Sequence, residues 1–556
     1  MRQVKIYDTT LRDGTQAEDF NLSLADKIRI AQKLAHLGIH YIEGGWPGSN
    51  PKDKDFFAEI RNYELGATRI TAFGSTHHKD RPPENDPNMQ ELLISLAPVV
   101  TLFGKSSLFQ VKEILQTTPA RNLELITGSL AYLKSRVEEL FYDAEHFFDG
   151  FKDDRDYALQ TLAAALSGGA QVLVLCDTNG GTLTHELIEI IKTVQTRFPA
   201  APLGIHAHND SELAVANSVA AVELGCNQVQ GTINGVGERC VNANLCSIIP
   251  NLQVKLGLEC LDPGRLKQLT EVSRFVYEVA NMRPNRYQPY VGKSAFAHKG
   301  GIHAAAVKRN PKAYEHIDPA LVGNRRSIPV SDLSGRGNIL LKAQELGLDL
   351  GSHDTAVRKA LDKLKELLGL ELHGLELPPF DSNVKTVLDK VKELESQGFQ
   401  FEDAEASLEL LLRAALGQYK EYFQLQAYRV IDQKLGGPEP PIPEATIRVR
   451  VGPHEVHTAA FGNGPVDALY NGLLKALVRF YPRLTEIIME DYKVRVLPGM
   501  RGTGAMVRVL IVSRDGHAWW NTVGVATDII DASWQALVDS ITYKLFKDEQ
   551  LARQPL

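Results

Sequence analysis

At 556 residues the chain is too long for one ordinary hydrophobic core, so two or three domains are expected. Its 44% hydrophobic and 23% charged residues are those of a soluble globular protein, and a net charge of −7 with no basic block argues against a nucleic-acid partner. Cys176, Cys226, Cys240, Cys246 and Cys260 form no CxxC pair and read as reduced thiols. No apolar signal region or bilayer-length run is present, so the expectation is a cytoplasmic protein with no membrane partner.

Short β-rich runs alternate with helical patterns through the first half. The runs are Val4–Tyr7, His40–Glu43, Arg69–Phe73, Val99–Phe103, Glu138–Tyr142, Gln171–Leu175, Leu203–His206 and Gln228–Ile233. Helical segments such as Ala25–Leu37 and Leu213–Leu224 lie between them. Eight such β/α units predict an α/β fold, a TIM barrel over residues 1–270. Most runs end in polar or Gly-rich turns, and barrel chemistry sits at that C-terminal face.

Residues 271–435 read as mostly helical, with amphipathic Leu361–Leu368 and Ala404–Leu416. The Gly/Pro-rich stretch 436–443 reads as a stiff linker between domains. Residues 444–550 then show a weak duplication. Ile447–Val451 and Val456–Phe461 lead into helix Val466–Phe480; Tyr492–Leu497, Met506–Ser513 and Trp519–Val525 lead into helix Ile529–Lys544. Two sheet-then-helix halves without a catalytic cluster predict a small α+β domain for binding or assembly.

The first chemical signal is Arg12-Asp13 in DTTLRDGTQ, directly after the first strand. A fixed cation beside a hard oxygen ligand can hold an anionic, oxygen-rich substrate against a metal. The second is HAHND: His206 and His208, two apart on a strand, point the same way and can grip one ion. The third is GVGERCVN, where Asn242 can add a carbonyl oxygen. Asp13, His206, His208 and Asn242 form a mixed N/O set that suits Mn2+, Mg2+ or Zn2+ alike. Glu238 and Arg239 could equally be a buried structural ion pair beneath the site.

Together DTTLRDGTQ, HAHND and GVGERCVN resemble the α-isopropylmalate synthase family, which also contains homocitrate and citramalate synthases. EGGWPGSNPKD (43–53), DAEHFFDGFK (143–152), CDTNGG (176–181), AFAHKGGIHAAAV (295–307) and VSDLSGRGN (330–338) resemble the citramalate synthases most. The resemblance implies condensation of pyruvate with acetyl-CoA and water to citramalate and CoA, within isoleucine biosynthesis. It also implies that Arg12 contacts the oxoacid, that Glu145 and Thr178 lie near the substrate, and that His303 and Tyr314 come from the region after the barrel. In relatives that region enters the neighbouring subunit's site, which implies a homodimer. His303 is the natural base by titration range.

The resemblance further implies a C-terminal allosteric domain with isoleucine as effector, and Gly462, Gly464, Gly502 and Gly504 are candidate backbone contacts. Those glycines could equally make tight turns only. Three departures stand out: Val241 where most relatives have glycine, His77-His78 where they commonly have arginines, and Phe109-Gln110 where an aromatic–His–Val pattern is usual. The competing readings are a 2-isopropylmalate synthase acting on 2-oxoisovalerate, a metal-dependent acyl-CoA lyase or aldolase, and an amino-acid sensor on a dead barrel.

Overall fold

The computed structural model describes residues 2–299, 301–327, 391, 393–395, 397–401, 404–415, 418–434, 436, 440–497 and 505–553. The expected helix Leu361–Leu368, and Gly502 and Gly504, lie outside these residues. The chain forms two compact units: Met1–Phe296 with His316–Arg326, and Ala297–Glu315 with Ser327–Leu556. Among the described residues no helix is long and apolar enough to cross a membrane. All five cysteines are free.

In the first unit the eight expected strands close a parallel barrel in sequence order. They are β1 (Lys5–Asp8), β2 (Tyr41–Gly45), β3 (Arg69–Ser75), β4 (Val99–Lys105), β5 (Glu139–Glu145), β6 (Val172–Asp177), β7 (Leu203–Ala207) and β8 (Gln228–Gly231). Strands β2, β7 and β8 are buried throughout, as parallel strands wrapped by helices must be. The first seven run past the ends that periodicity predicts, because barrel pairing continues through polar residues such as Asp8, Lys105, Glu145 and Asp177. Strand β8 stops at Gly231, short of Ile233, and Asn234 then turns the chain with φ +65°.

The surrounding helices follow local rules. Helix α1 (Leu24–Leu37) starts at a Ser23/Asp26 capping box, ends at left-handed Gly38, and buries Ile28, Ala31, Leu34 and Leu37 against the sheet. Helix α2 (Leu269–Val279) buries Leu269, Val272 and Val276 and packs on α1. The expected boundary after residue 270 therefore cuts a helix that belongs to the barrel.

The second unit contains α3 (Gly301–Arg309) and α4 (Glu405–Ala415), the latter inside the expected Ala404–Leu416. The duplication takes the form of two three-stranded antiparallel sheets, each followed by a helix. The first holds β9 (Gln424–Gln433), β10 (Ile442–Val451) and β11 (His454–Phe461), with α5 (Pro465–Leu477); the second holds β12 (Ile488–Val496), β13 (Val507–Arg514) and β14 (Trp519–Ala526), with α6 (Ile529–Arg553). Buried Ala445, Ile447 and Val449 of β10 share a core with Leu469, Leu473 and Leu477 of α5. Strand β9 falls where the sequence reads as helical: it is largely exposed and lacks a clear alternation of apolar residues. It pairs with β10, so the strands on either side of the expected linker belong to one sheet.

Candidate metal and substrate site

At the C-terminal mouth of the barrel lies a cavity of about 220 Å³ whose lining includes Arg12, Asp13, Thr178, His206 and His208. Asp13 comes from the turn after β1, His206 from the end of β7, and His208 two residues on. The ligand atoms of these three lie within 4.8 Å of one another. His206 Nε2 is 3.4 Å from Asp13 Oδ2 and 3.2 Å from His208 Nε2. Asn242 joins them through an antiparallel bridge to His208. A Cβ on Gly237 would come within 2.2 Å of Asn242 Nδ2, so a side chain there would push the amide from its place.

The donor chemistry fits a divalent ion. Among the described residues Asp13 Oδ2 and Asn242 Oδ1 are buried without a hydrogen-bond partner, although buried polar atoms almost always have one. Burial lowers the pKa of His208 to about 4, with His206 adding to the effect, so the imidazole is neutral and able to coordinate. Burial alone would raise the Asp13 carboxyl, but Arg12, His206 and His208 outweigh it and hold the pKa below the usual range. His206 Nδ1 is 2.9 Å from Gln230 Oε1, and Gln230 Nε2 donates to Asp143 Oδ1 at 3.0 Å. A second group of acidic residues, Glu486, Asp515 and Asp548, is already engaged: it surrounds the buried Lys544 ammonium at 2.7–2.8 Å, and Arg483 also pairs with Glu486 and Asp548.

Beside the donor set, Arg12 Nε donates to Glu43 Oε1 at 2.5 Å, and Tyr7 donates to Glu43 Oε2 at 2.6 Å. Burial opposes the Arg12 charge, but Asp13 and Glu43 overcome it and raise its pKa. Phe73 and Phe103 stack at 5.1 Å and Trp46 meets both edge-on, making an apolar wall. Thr178 Oγ1 accepts the His146 N–H at 2.8 Å, which leaves its own O–H free to donate. Glu145, also on the lining, is ion-paired with Lys105.

Glu238 and Arg239 are not a buried pair. Both side chains are about half exposed, and Arg239 makes its close bidentate contact with Asp210 of HAHND, at 2.8 and 2.9 Å. Val241 stands at φ +72°, a left-handed conformation that β-branched residues avoid, while its carbonyl accepts the Asn209 N–H at 2.8 Å. His77 is buried against Ser129, and exposed His78 lies with Lys79, Arg81 and Lys105 around a second cavity of about 570 Å³ that shares Phe103. Phe109 is exposed.

His303 and Tyr314 belong to the second unit, where both are exposed and their rings stack at 4.2 Å. Gly462 lets β11 run against the first turn of α5, since a Cβ there would meet Ala468 N at 2.2 Å; Gly464 is the N-cap of that helix. Sequence reasoning passed over Glu43, Asp143, Gln230, Trp46, Phe73 and Phe103. Glu43 and Trp46 sit in the quoted EGGWPGSN motif and Asp143 in DAEHFFDG; Gln230, a polar residue within a buried strand, was itself a signal.

Residues 3–276 match the HMGL-like family, residues 290–372 the homocitrate synthase post-HMGL domain-like family, and residues 402–545 the LeuA allosteric (dimerisation) domain. The chain is 53% identical to an (R)-citramalate synthase of Geobacter sulfurreducens, with 99% of both chains covered. It is 53% identical to an (R)-citramalate synthase of Aquifex aeolicus with the same coverage. A 2-isopropylmalate synthase of Shewanella frigidimarina is 31% identical, with 96% of this chain and 94% of that one covered. The chain belongs to the α-isopropylmalate and homocitrate synthase family and, within it, to the citramalate synthases.

Proposed function

We propose that the chain joins acetyl-CoA, pyruvate and water to give (R)-citramalate and CoA, on the way to isoleucine. The observation that carries the reading is the buried Asp13–His206–His208 donor set placed beside Arg12 in one small cavity. Asp13, His206, His208 and Asn242 would hold one ion, Mn2+, Mg2+ or Zn2+, which when bound polarises the oxoacid's keto group as a Lewis acid.

The remaining chemistry falls to the chain's own groups. Arg12, anchored by Glu43, keeps guanidinium N–H groups for the oxygen on which negative charge develops; one such donor is typically worth ~3 kcal/mol. The Thr178 hydroxyl donates to the substrate carboxylate. Trp46, Phe73 and Phe103 cover the methyl end of pyruvate and leave little room for a branched oxoacid. His303, exposed with its stacked partner Tyr314, serves the barrel of a second copy. There it takes a proton from the acetyl methyl group, with Glu145 orienting the imidazole. The cationic second cavity suits the phosphates of CoA. The LeuA-type domain joins two chains and takes isoleucine as effector, with the Gly462 and Gly464 turn among its contacts.

Release of free CoA from acetyl-CoA, followed with pyruvate, 2-oxoisovalerate and 2-oxoglutarate in turn, tests the reading. Pyruvate is expected to be preferred. A preference for 2-oxoisovalerate would sink it in favour of a 2-isopropylmalate synthase. Asp13→Ala should abolish turnover and Mn2+ binding with the fold intact; full activity in that variant refutes the metal assignment.

A further inference from the structure

Gln230 and Asp143 touch no expected ligand oxygen, yet they form a directed chain that ends on His206. Gln230 is fully buried on β8, and Asp143 on β5 is 4% exposed. The amide of Gln230 has two distinguishable ends, and each meets a complementary atom. Its Nε2 donates to Asp143 Oδ1 at 3.0 Å, which turns Oε1 toward His206 Nδ1 at 2.9 Å. With the amide in this orientation its oxygen can only accept, so Nδ1 carries the imidazole proton. Nε2 of His206 is then the nitrogen that faces Asp13 Oδ2 and His208 Nε2. His208 has no such partner among the described residues, where its Nδ1 is buried and unbonded.

We infer that Gln230, oriented by Asp143, is a positioning residue that fixes the His206 tautomer and thereby prepares its Nε2 for a divalent metal ion. The inference rests on the metal assignment of the proposed function. Outer-shell partners of this kind typically change metal affinity by about 10- to 100-fold when removed. Asp143 lies three strands away from β8 in barrel order, so the orientation of His206 depends on closure of the whole barrel.

The test is Mn2+ affinity of the full chain without substrates, read by electron paramagnetic resonance of free Mn2+. Gln230→Met matches the side chain in length but removes both hydrogen bonds. It should bind Mn2+ about 10- to 100-fold more weakly, a loss larger than any fall in the folded fraction in chelator explains. Gln230→Glu keeps an acceptor for His206 and should stay closer to the parent. Parental affinity in Gln230→Met overturns the proposal, as does a loss in chelator stability that accounts for the whole effect. Failure of the parent itself to bind Mn2+ strikes the metal assignment instead and removes the basis of both. Histidine 15N shifts of the metal-free parent report the same device without a substitution. A protonated Nδ1 on His206 is expected, and an Nδ1 without its proton overturns the proposal.

Discussion

Arg12 Nε lies 2.5 Å from Glu43 Oε1, while the guanidinium carbon sits 3.9 Å over the Phe73 ring. The planar cation is thus fixed by a carboxylate on one edge and an aromatic face beneath it. Lysine carries the charge but neither the fork nor the stacking plane. Arg12→Lys should therefore lower kcat by about 10²- to 10³-fold, the cost of one misplaced charge-stabilising donor. Steady-state kinetics with pyruvate, alongside Mn2+ affinity, check this. A kcat near the parent's would show that position matters less than charge.

The aromatic wall predicts substrate size selection. Trp46 lines the small cavity and meets Phe73 and Phe103 edge-on at 6.1 and 5.4 Å. Trp46→Ala removes a bulky wall element without touching Arg12 or the donor set. The ratio of kcat/KM for 2-oxoisovalerate over pyruvate should rise by at least about tenfold, the scale on which apolar pockets discriminate. An unchanged ratio would place the selecting residues elsewhere.

Val241 holds φ +72° immediately before Asn242. Left-handed strain at a non-glycine residue costs of order 1–3 kcal/mol, while glycine adds about 0.5–1 kcal/mol of unfolded-state entropy. Val241→Gly should thus gain about 1 kcal/mol in urea unfolding, with turnover kept. A destabilised variant would mean that the packing of the valine side chain outweighs the backbone strain.

Asp8 gives a pH signature. Burial raises its carboxyl pKa to about 7, against the opposing hydrogen bonds from Thr10. The folded chain therefore keeps a proton that the unfolded chain, near the ordinary aspartate pKa of ~3.9, has already released. The stability tied to that proton is complete below about pH 4 and is lost as pH rises through about 7. Asp8→Asn has no such proton to lose. In urea melts its stability relative to the parent should climb between those limits and level off above them. A difference that stays flat across the window would mean that Asp8 is ionised in the fold.

The barrel was legible because apolar periodicity and turn chemistry are local, and seven of its eight strands reach past the ends that periodicity marks. Polar residues such as Glu145 and Asp177 are invisible to an apolar pattern, although they complete the strands that carry the site. Strand β9 escaped for the related reason that only Tyr428 and Val430 of it are half-buried, too few to imprint an alternation.

The candidate ligands were legible for a different reason. Asp13, and His206 with His208, sit in short motifs whose residue types and spacing state their chemistry directly. What these residues lean on was not legible. Glu43 beneath Arg12, and Gln230 with Asp143 behind His206, come from strands far apart in the chain. Their hydrogen bonds exist only once eight strands close into a ring. By itself the sequence determined the strand order, the candidate donor residues and the family. Tertiary structure decided which buried carboxylate anchors the arginine, which amide meets the histidine, and how small the cavity is, because each depends on neighbours that only barrel closure supplies.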